Sequence, residues 1–239
     1  MDSLRSRRHT VRVPGTLAAV VALAGCTTIG ADTAERKRVD FGQPISLEVC
    51  LLKHKDVSQP RADLFIAAVN KEFADFGIAV TVPWVREWER PAFTVNGIMQ
   101  DILSRDLEAP CDRLIALVDR HAGDFLWGLL LPEVLGAVDD LTHTRGYIVA
   151  NFGSLNQAFS SVEMTAVHEF YHLVGCGHGI SKSKCYHDIA GLKASLPPES
   201  DFMPGVDRKG EYLLTREGAN KVVRDYLAEQ AASKAAPAR

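Results

Sequence analysis

The 239-residue sequence predicts one domain of α/β (α+β) class. Apolar runs of strand length alternate with apolar stripes of helical period, no internal repeat is visible, and 46% hydrophobic with 24% charged residues is ordinary globular composition. The pattern occupies residues 44–230 and leaves a segment of different character at each end. A formal charge of −3 and a pI near 6.2 provide no basic field for nucleic acid, which is disfavoured as a partner.

Taken in order, the first residues do not read as fold. Arg5, Arg7, Arg8 and Arg12 precede the short apolar run GTLAAVVALAG, Gly15 to Gly25. That run is too short to span a bilayer as a mature helix and has the form of a secretion signal over residues 1–25. It ends in Leu23-Ala24-Gly25-Cys26, which resembles the bacterial lipoprotein signature. The resemblance implies that Cys26 becomes the lipidated first residue of the mature protein, and Thr27 in place of Asp resembles lipoproteins sent to an outer membrane. The expected location is the cell envelope, extracytoplasmic and held to a membrane through Cys26. Residues 26–43, polar and mixed in charge, read as a tether.

From Ile45 the pattern Ile-Ser-Leu-Glu-Val-Cys-Leu-Leu alternates and then turns apolar, which predicts a strand. Ser58 and Pro60 open a helix whose Phe65, Val69, Phe73 and Phe76 share one stripe, and Gly77 stops it. A second strand is expected over Ile78 to Trp84, a short helix over Val95 to Leu107 and a third strand over Leu114 to Val118. Two further strands are expected over Leu126 to Leu131 and Tyr147 to Phe152. The former ends at Pro132, whose missing donor suits an edge strand, and such an edge can accept an extended peptide. Ser160 and Glu163 have capping-box spacing, predicting a helix through Val174 with Met164, Val167, Tyr171 and Val174 inward. Gly175 to Leu213, with Pro197, Pro198 and Pro204, is expected to be a long loop region. Thr215 opens a last helix with Ala219, Val222, Val223 and Tyr226 inward, and residues 231–239 read as a frayed tail.

The chemistry concentrates in HEFYHLVGCGH, residues 168–178, which holds three of the chain's 8 histidines. Residues four apart on a helix stack on one face, so His168 and His172 can present their rings to one point. Gly175 can adopt the left-handed conformation that ends a helix and turns His178 back toward that point. Three protein ligands with an open fourth position make a catalytic zinc site, and Glu169 beside it would take a proton from water whose pKa zinc lowers to about 7. With 18 Gly and 8 His in the chain, the added glycine and third histidine would arise by chance about once in 400 such motifs. That is too rare for surface charge alone. Apart from Cys26, Cys50, Cys111, Cys176 and Cys185 remain. Cys176 and Cys185 could bridge within one loop, Cys50 and Cys111 could pair or be buried thiols, and four free core cysteines are the alternative.

HEFYHLVGCGH resembles the long zinc motif of the metzincin metallopeptidases at all five defining positions. The resemblance implies a metzincin-like zincin fold: a twisted five-stranded mixed sheet with two helices, an active-site helix, a Met-turn loop region and a C-terminal helix. It also implies one catalytic Zn2+ on His168, His172 and His178, Glu169 as general base, and Met203, in Asp-Phe-Met-Pro-Gly, as the structural Met-turn. A protein or peptide substrate would lie along the edge strand at Leu126 to Leu131, cleaved as by a zinc endopeptidase. The chain departs from the pattern where Gly205 stands at the position at which some metzincins place a ligand tyrosine, and no cysteine latch occurs in the tether, so the branch stays open. Two alternatives remain. One is a gluzincin-type peptidase with Glu199 or Glu211 as third ligand. The other is a non-catalytic, zinc-stabilised scaffold lipoprotein with Cys176 or Cys185 closing the site. Cys185, His187 and Asp188 read as a disulfide half with two solvated side chains rather than a second metal cluster. His54, His121 and His143 read as surface or hydrogen-bonded residues.

Overall fold

Strand β1, Ile45–His54, is the axis of the molecule, because its alternate side chains feed two different cores. In the computed structural model, which describes residues 33–119, 134–150, 162–178 and 182–235, Leu47, Val49 and Leu51 face one way and Cys50 and Leu52 the other. Strand β4, Arg113–Val118, is buried along its whole length and alternates in the same sense. A sheet covered on both faces needs apolar residues at every position, so β4 reads as a continuous run rather than an alternating one.

The remaining elements arrange around these two strands. They are α1 (Thr33–Arg36), α2 (Gln59–Phe73), β2 (Ile78–Thr81), β3 (Val85–Trp88) and α3 (Val95–Leu103). After β4 come β5 (Gly136–Val138), β6 (Arg145–Val149), α4 (Val162–Leu173) and α5 (Lys182–Ala194). The chain closes with the short hairpin β7 (Gly205–Val206) and β8 (Tyr212–Leu213), then α6 (Arg216–Ala235). The main sheet has the order β2-β1-β4-β6-β5, with β3 also paired to β1. Every pairing in it is parallel except the antiparallel β5–β6 pair. Helices α2, α4 and α5 cover one face, while α3 and the start of α6 cover the other.

The α/β class and mixed sheet agree with expectation, whereas several details differ for identifiable reasons. The second strand is two: β2 pairs with β1 up to Glu48 opposite Thr81, and β3 resumes with Leu51 opposite Val85. The partner thus spends one residue more than β1 across Val82-Pro83-Trp84, where Pro83 has no N–H for the ladder. The sheet therefore has six strands rather than five among the described residues. Leu126–Leu131 lies outside those residues, and the antiparallel edge they contain is β5. The fifth expected strand starts at Arg145 rather than Tyr147.

Inside the expected loop region lies a full helix, α5. Its inward positions are Cys185, Tyr186, Ile189, Leu192 and Lys193, the last donating from Nζ to the Phe76 carbonyl at 2.6 Å. A lysine on the buried stripe hides the helical period from a hydrophobicity reading. Helix α6 runs through residues 231–235, expected to fray, because that stretch is alanine-rich and alanine is the strongest helix former. Its buried residues are Ala219, Asn220 and Val223, while Val222 and Tyr226 are only half-buried. Asn220 accepts from the Leu107 N–H at 2.8 Å and donates to the Leu107 carbonyl at 3.1 Å.

The folded part also begins earlier than residue 44. Arg36 is 4% exposed, ion-paired to Glu72 at 2.9 Å and Asp75 at 2.8 Å, with its guanidinium over the Phe76 and Tyr186 rings. Val39 and Phe41 pack on the same core. A polar-looking segment is thus docked by a buried cation whose partners lie in α2 and the turn after it.

Both disulfides form, Cys50–Cys111 over 61 residues and Cys176–Cys185 over 9. The longer loop restrains the unfolded chain more. Replacing Cys50 and Cys111 together with alanine is expected to cost about 2–5 kcal/mol, a fall in Tm of about 4–20 °C for a chain of this size. Thermal melting followed by circular dichroism measures it.

Candidate metal centre

Helix α4 carries the site. Glu163 in its first turn complements the helix dipole and pairs with Arg61 of α2 at 3.2 Å. Its buried residues include Val167, Phe170, Tyr171 and Leu173. Met164, expected inward, is 44% exposed, because the inward face is set by Ala166, Phe170 and Leu173 instead. Ser160, the expected cap, lies outside the described residues.

His168 and His172 bring their Nε2 atoms to 3.1 Å. The chain then leaves the helix through Gly175 at φ 87, where a Cβ would also lie 2.8 Å from Val206 Cγ2. The Cys176–Cys185 disulfide fastens this turn to α5. His178 returns with its ring centroid 4.2 Å from that of His172 and 5.8 Å from that of His168. The three histidines each offer a nitrogen within 4.8 Å of the others, so the expected trio is brought together.

The donor set suits a divalent ion of the zinc type. Two nitrogens each about 2.0–2.1 Å from a tetrahedral ion lie about 3.3 Å apart, close to the observed 3.1 Å. His172 Nδ1 lies 2.6 Å from the Cys176 carbonyl, an acceptor, so Nδ1 carries the proton and Nε2 presents its lone pair, the usual outer support of a ligating histidine. Burial, and secondarily the neighbouring His178, lowers the pKa of His168. Burial pulls His172 down to about 4, against the carbonyl contact. Both shifts favour the neutral rings, the form that can offer a lone pair to an ion.

Glu169 is 5% exposed, and burial pushes its carboxyl up to about 8. Edge strand β5 runs directly against it: a Cβ on Gly136 would lie 2.6–2.7 Å from the Glu169 side chain. Only a glycine lets the strand pass so near the carboxylate. Met203 is buried in the same core cluster as Phe170, Leu173, Val174 and Cys176. Its N–H donates to Asp112 Oδ1 at 2.9 Å and its carbonyl accepts from Arg113 Nη1 at 2.9 Å.

The rival ligand sets fare differently. Glu199 and Glu211 are exposed, and neither joins the two helix histidines in a ligand group among the described residues. Cys176 and Cys185 are spent in their disulfide, so neither closes the site as a fourth ligand. Cys185 is unavailable to the His187–Asp188 cluster for the same reason, and Asp188 binds Lys184. His54 is buried and hydrogen-bonded, accepting at Nδ1 from the Asp56 N–H at 3.4 Å, and with Asp56 and Asp119 it forms a second close group. His121 and Cys26 lie outside the described residues.

Sequence reasoning missed Gly136 and the Asp112–Arg113 pair, whereas His143 is hydrogen-bonded, one of the two forms expected of it. His143 holds φ 54, and its Nδ1 lies 2.7 Å from the Val206 carbonyl. The one signal available is the charged pair Asp112-Arg113 opening an otherwise apolar strand.

No protein-family model matches the chain, and no curated protein matches it. Among solved structures it is similar to archaemetzincin from Methanopyrus kandleri at 13% sequence identity, with a TM-score of 0.40, over 77% of this chain and 96% of that one.

Proposed function

We propose that the chain is a zinc-dependent endopeptidase of metzincin type, hydrolysing peptide bonds of extracytoplasmic protein or peptide substrates. The observation that carries this reading is the convergence of three imidazoles, with no fourth protein ligand in the group among the described residues, on a helix that also carries the buried carboxyl of Glu169 next to His168 in the chain. When bound, zinc supplies a Lewis acid that polarises a carbonyl and acidifies water. The chain's own residues do the rest. His168, His172 and His178 hold the ion, and Cys176 through its carbonyl orients His172. Glu169, ionised by the charge of a bound cation beside it, would accept a proton from the attacking water, and its buried surroundings would favour the protonated state that then gives the proton to the leaving amine. Met203 is structural, and Cys26 is the proposed lipid attachment that places the domain at the cell envelope, with the outer membrane favoured.

Peptide-library cleavage by the purified chain, paired with zinc analysis, tests the reading. Wild type should cleave and bind one zinc ion. Zinc bound at one equivalent without any cleavage difference from Glu169→Ala would refute the peptidase. Metabolic labelling with palmitate, compared with Cys26→Ser, tests the anchor.

Gly136 offers a finer probe. Gly136→Ala should push the Glu169 carboxylate aside and lower the cleavage rate by about 100-fold, the cost of a misplacement near 1 Å, while zinc stoichiometry is unchanged. Steady-state kinetics with metal analysis checks it.

A further inference from the structure

Arg113 opens β4 with its guanidinium fully buried, and its hydrogen bonds go to main-chain carbonyls. Nε donates to Leu173 at 2.8 Å, Nη1 to Asp112 at 3.0 Å and Met203 at 2.9 Å, and Nη2 to Pro204 at 2.7 Å. Leu173 directly follows His172 and is the last residue of α4, where helix carbonyls lack intrahelical partners and carry the negative end of the dipole. Asp112 completes the frame: its carboxylate accepts from the Met203 N–H at 2.9 Å and from the Glu48 N–H of β1 at 2.9 Å. The segment so held continues to Val206, which abuts Gly175, the turn that delivers both the Cys176 carbonyl and His178.

We infer that the Asp112–Arg113 pair is the positioning element of the metal centre, locking the end of α4 and the Met203–Val206 segment to the middle of the sheet and thereby setting the trio's affinity for its ion. The inference rests on the zinc reading above. A planar fork with donors in fixed directions is what binding carbonyls from two separate segments requires, and neither lysine nor an apolar side chain supplies it. The same sheet contains a control. Arg145 is equally buried but faces the other core, donating to the Arg105 carbonyl, Thr144 Oγ1 and Asn220 Oδ1. A merely structural role for buried arginine predicts like behaviour for both.

The test uses the full-length chain purified in detergent, comparing wild type with Arg113→Met, Arg113→Lys and Arg145→Met. Zinc Kd is measured by chelator competition, and the Co2+-substituted absorption spectrum reports ligand geometry. Arg113→Met should raise Kd at least tenfold and shift the Co2+ bands, with Arg113→Lys in between. Arg145→Met should melt at lower temperature yet bind zinc within twofold of wild type. A wild-type Kd and spectrum for Arg113→Met, or an equal loss in Arg145→Met, overturns the inference. If Arg113→Met does not fold, Arg113→Lys decides: a Kd raised at least threefold supports it and an unchanged Kd overturns it. Failure of wild type itself to bind one zinc ion would sink the underlying reading, a result distinct from all of these.

Discussion

Glu169→Gln is expected to lower peptide cleavage by about 10²–10⁴-fold, the usual contribution of a positioned acid–base group, while zinc stoichiometry stays at one. The amide keeps the shape of the side chain but cannot accept the proton that the attacking water must lose, so the loss should appear in kcat with KM little changed. The substitution carries a second, independent signature in the metal-free protein. Burial raises this carboxyl from 4.5 to about 8, so between those values the native state holds a proton that the unfolded chain has released. Protons bound by the native state exceed those of the unfolded state, and stability must fall as pH rises through that window. Urea unfolding of the metal-free protein at pH 5 and pH 8 should therefore show a decline in wild type that is diminished in Glu169→Gln. Equal slopes for the two proteins would mean that Glu169 is not buried as described.

His172→Ala is expected to remove zinc binding, weakening it by more than the roughly 10–100-fold typical of losing an outer-sphere partner. At a free zinc concentration of about 1,000 times Kd, binding stabilises the native state by about 4 kcal/mol, a Tm increase of about 8–16 °C for a chain of this length. His172→Ala should abolish that increase. Acid behaviour supplies the sign-opposite companion to Glu169. Burial holds His172 at about 4 against an ordinary 6.5. The unfolded chain therefore binds more protons between those values, and the metal-free protein loses stability as pH falls through them. The alanine variant lacks this penalty. Calorimetry with and without zinc, and acid titration without it, measure both effects. A wild-type zinc-induced Tm shift in the variant would remove His172 from the ligand set.

How much of this was legible in the sequence depends on whether the controlling distances are local. The trio could be anticipated because one helical turn fixes the separation of His168 and His172, and Gly175 announces the reversal that returns His178. The alternation of β1 and the unbroken apolar run of β4 revealed the sheet for the same reason. What escaped was polar and buried. Arg36 finds its carboxylates 36 and 39 residues away, and Arg113 reaches carbonyls 60, 90 and 91 residues away. No periodicity encodes such pairings, since a cation is compatible with the interior only after the distant acceptors have arrived. Lys193 conceals α5 by the same logic, and Gly136 has meaning only once α4 lies beneath it.

The early docking of Thr33–Arg36 sets a limit on where the proposed enzyme works. If Cys26 bears the lipid, only residues 27–32 separate it from the packed body, and six residues stretch to at most about 20 Å. On that proposal, so brief a leash would hold the folded body within a protein radius of the lipid headgroups and deny it a wide roaming volume. Its clients would be chains that emerge from, or come to rest on, the same sheet of membrane.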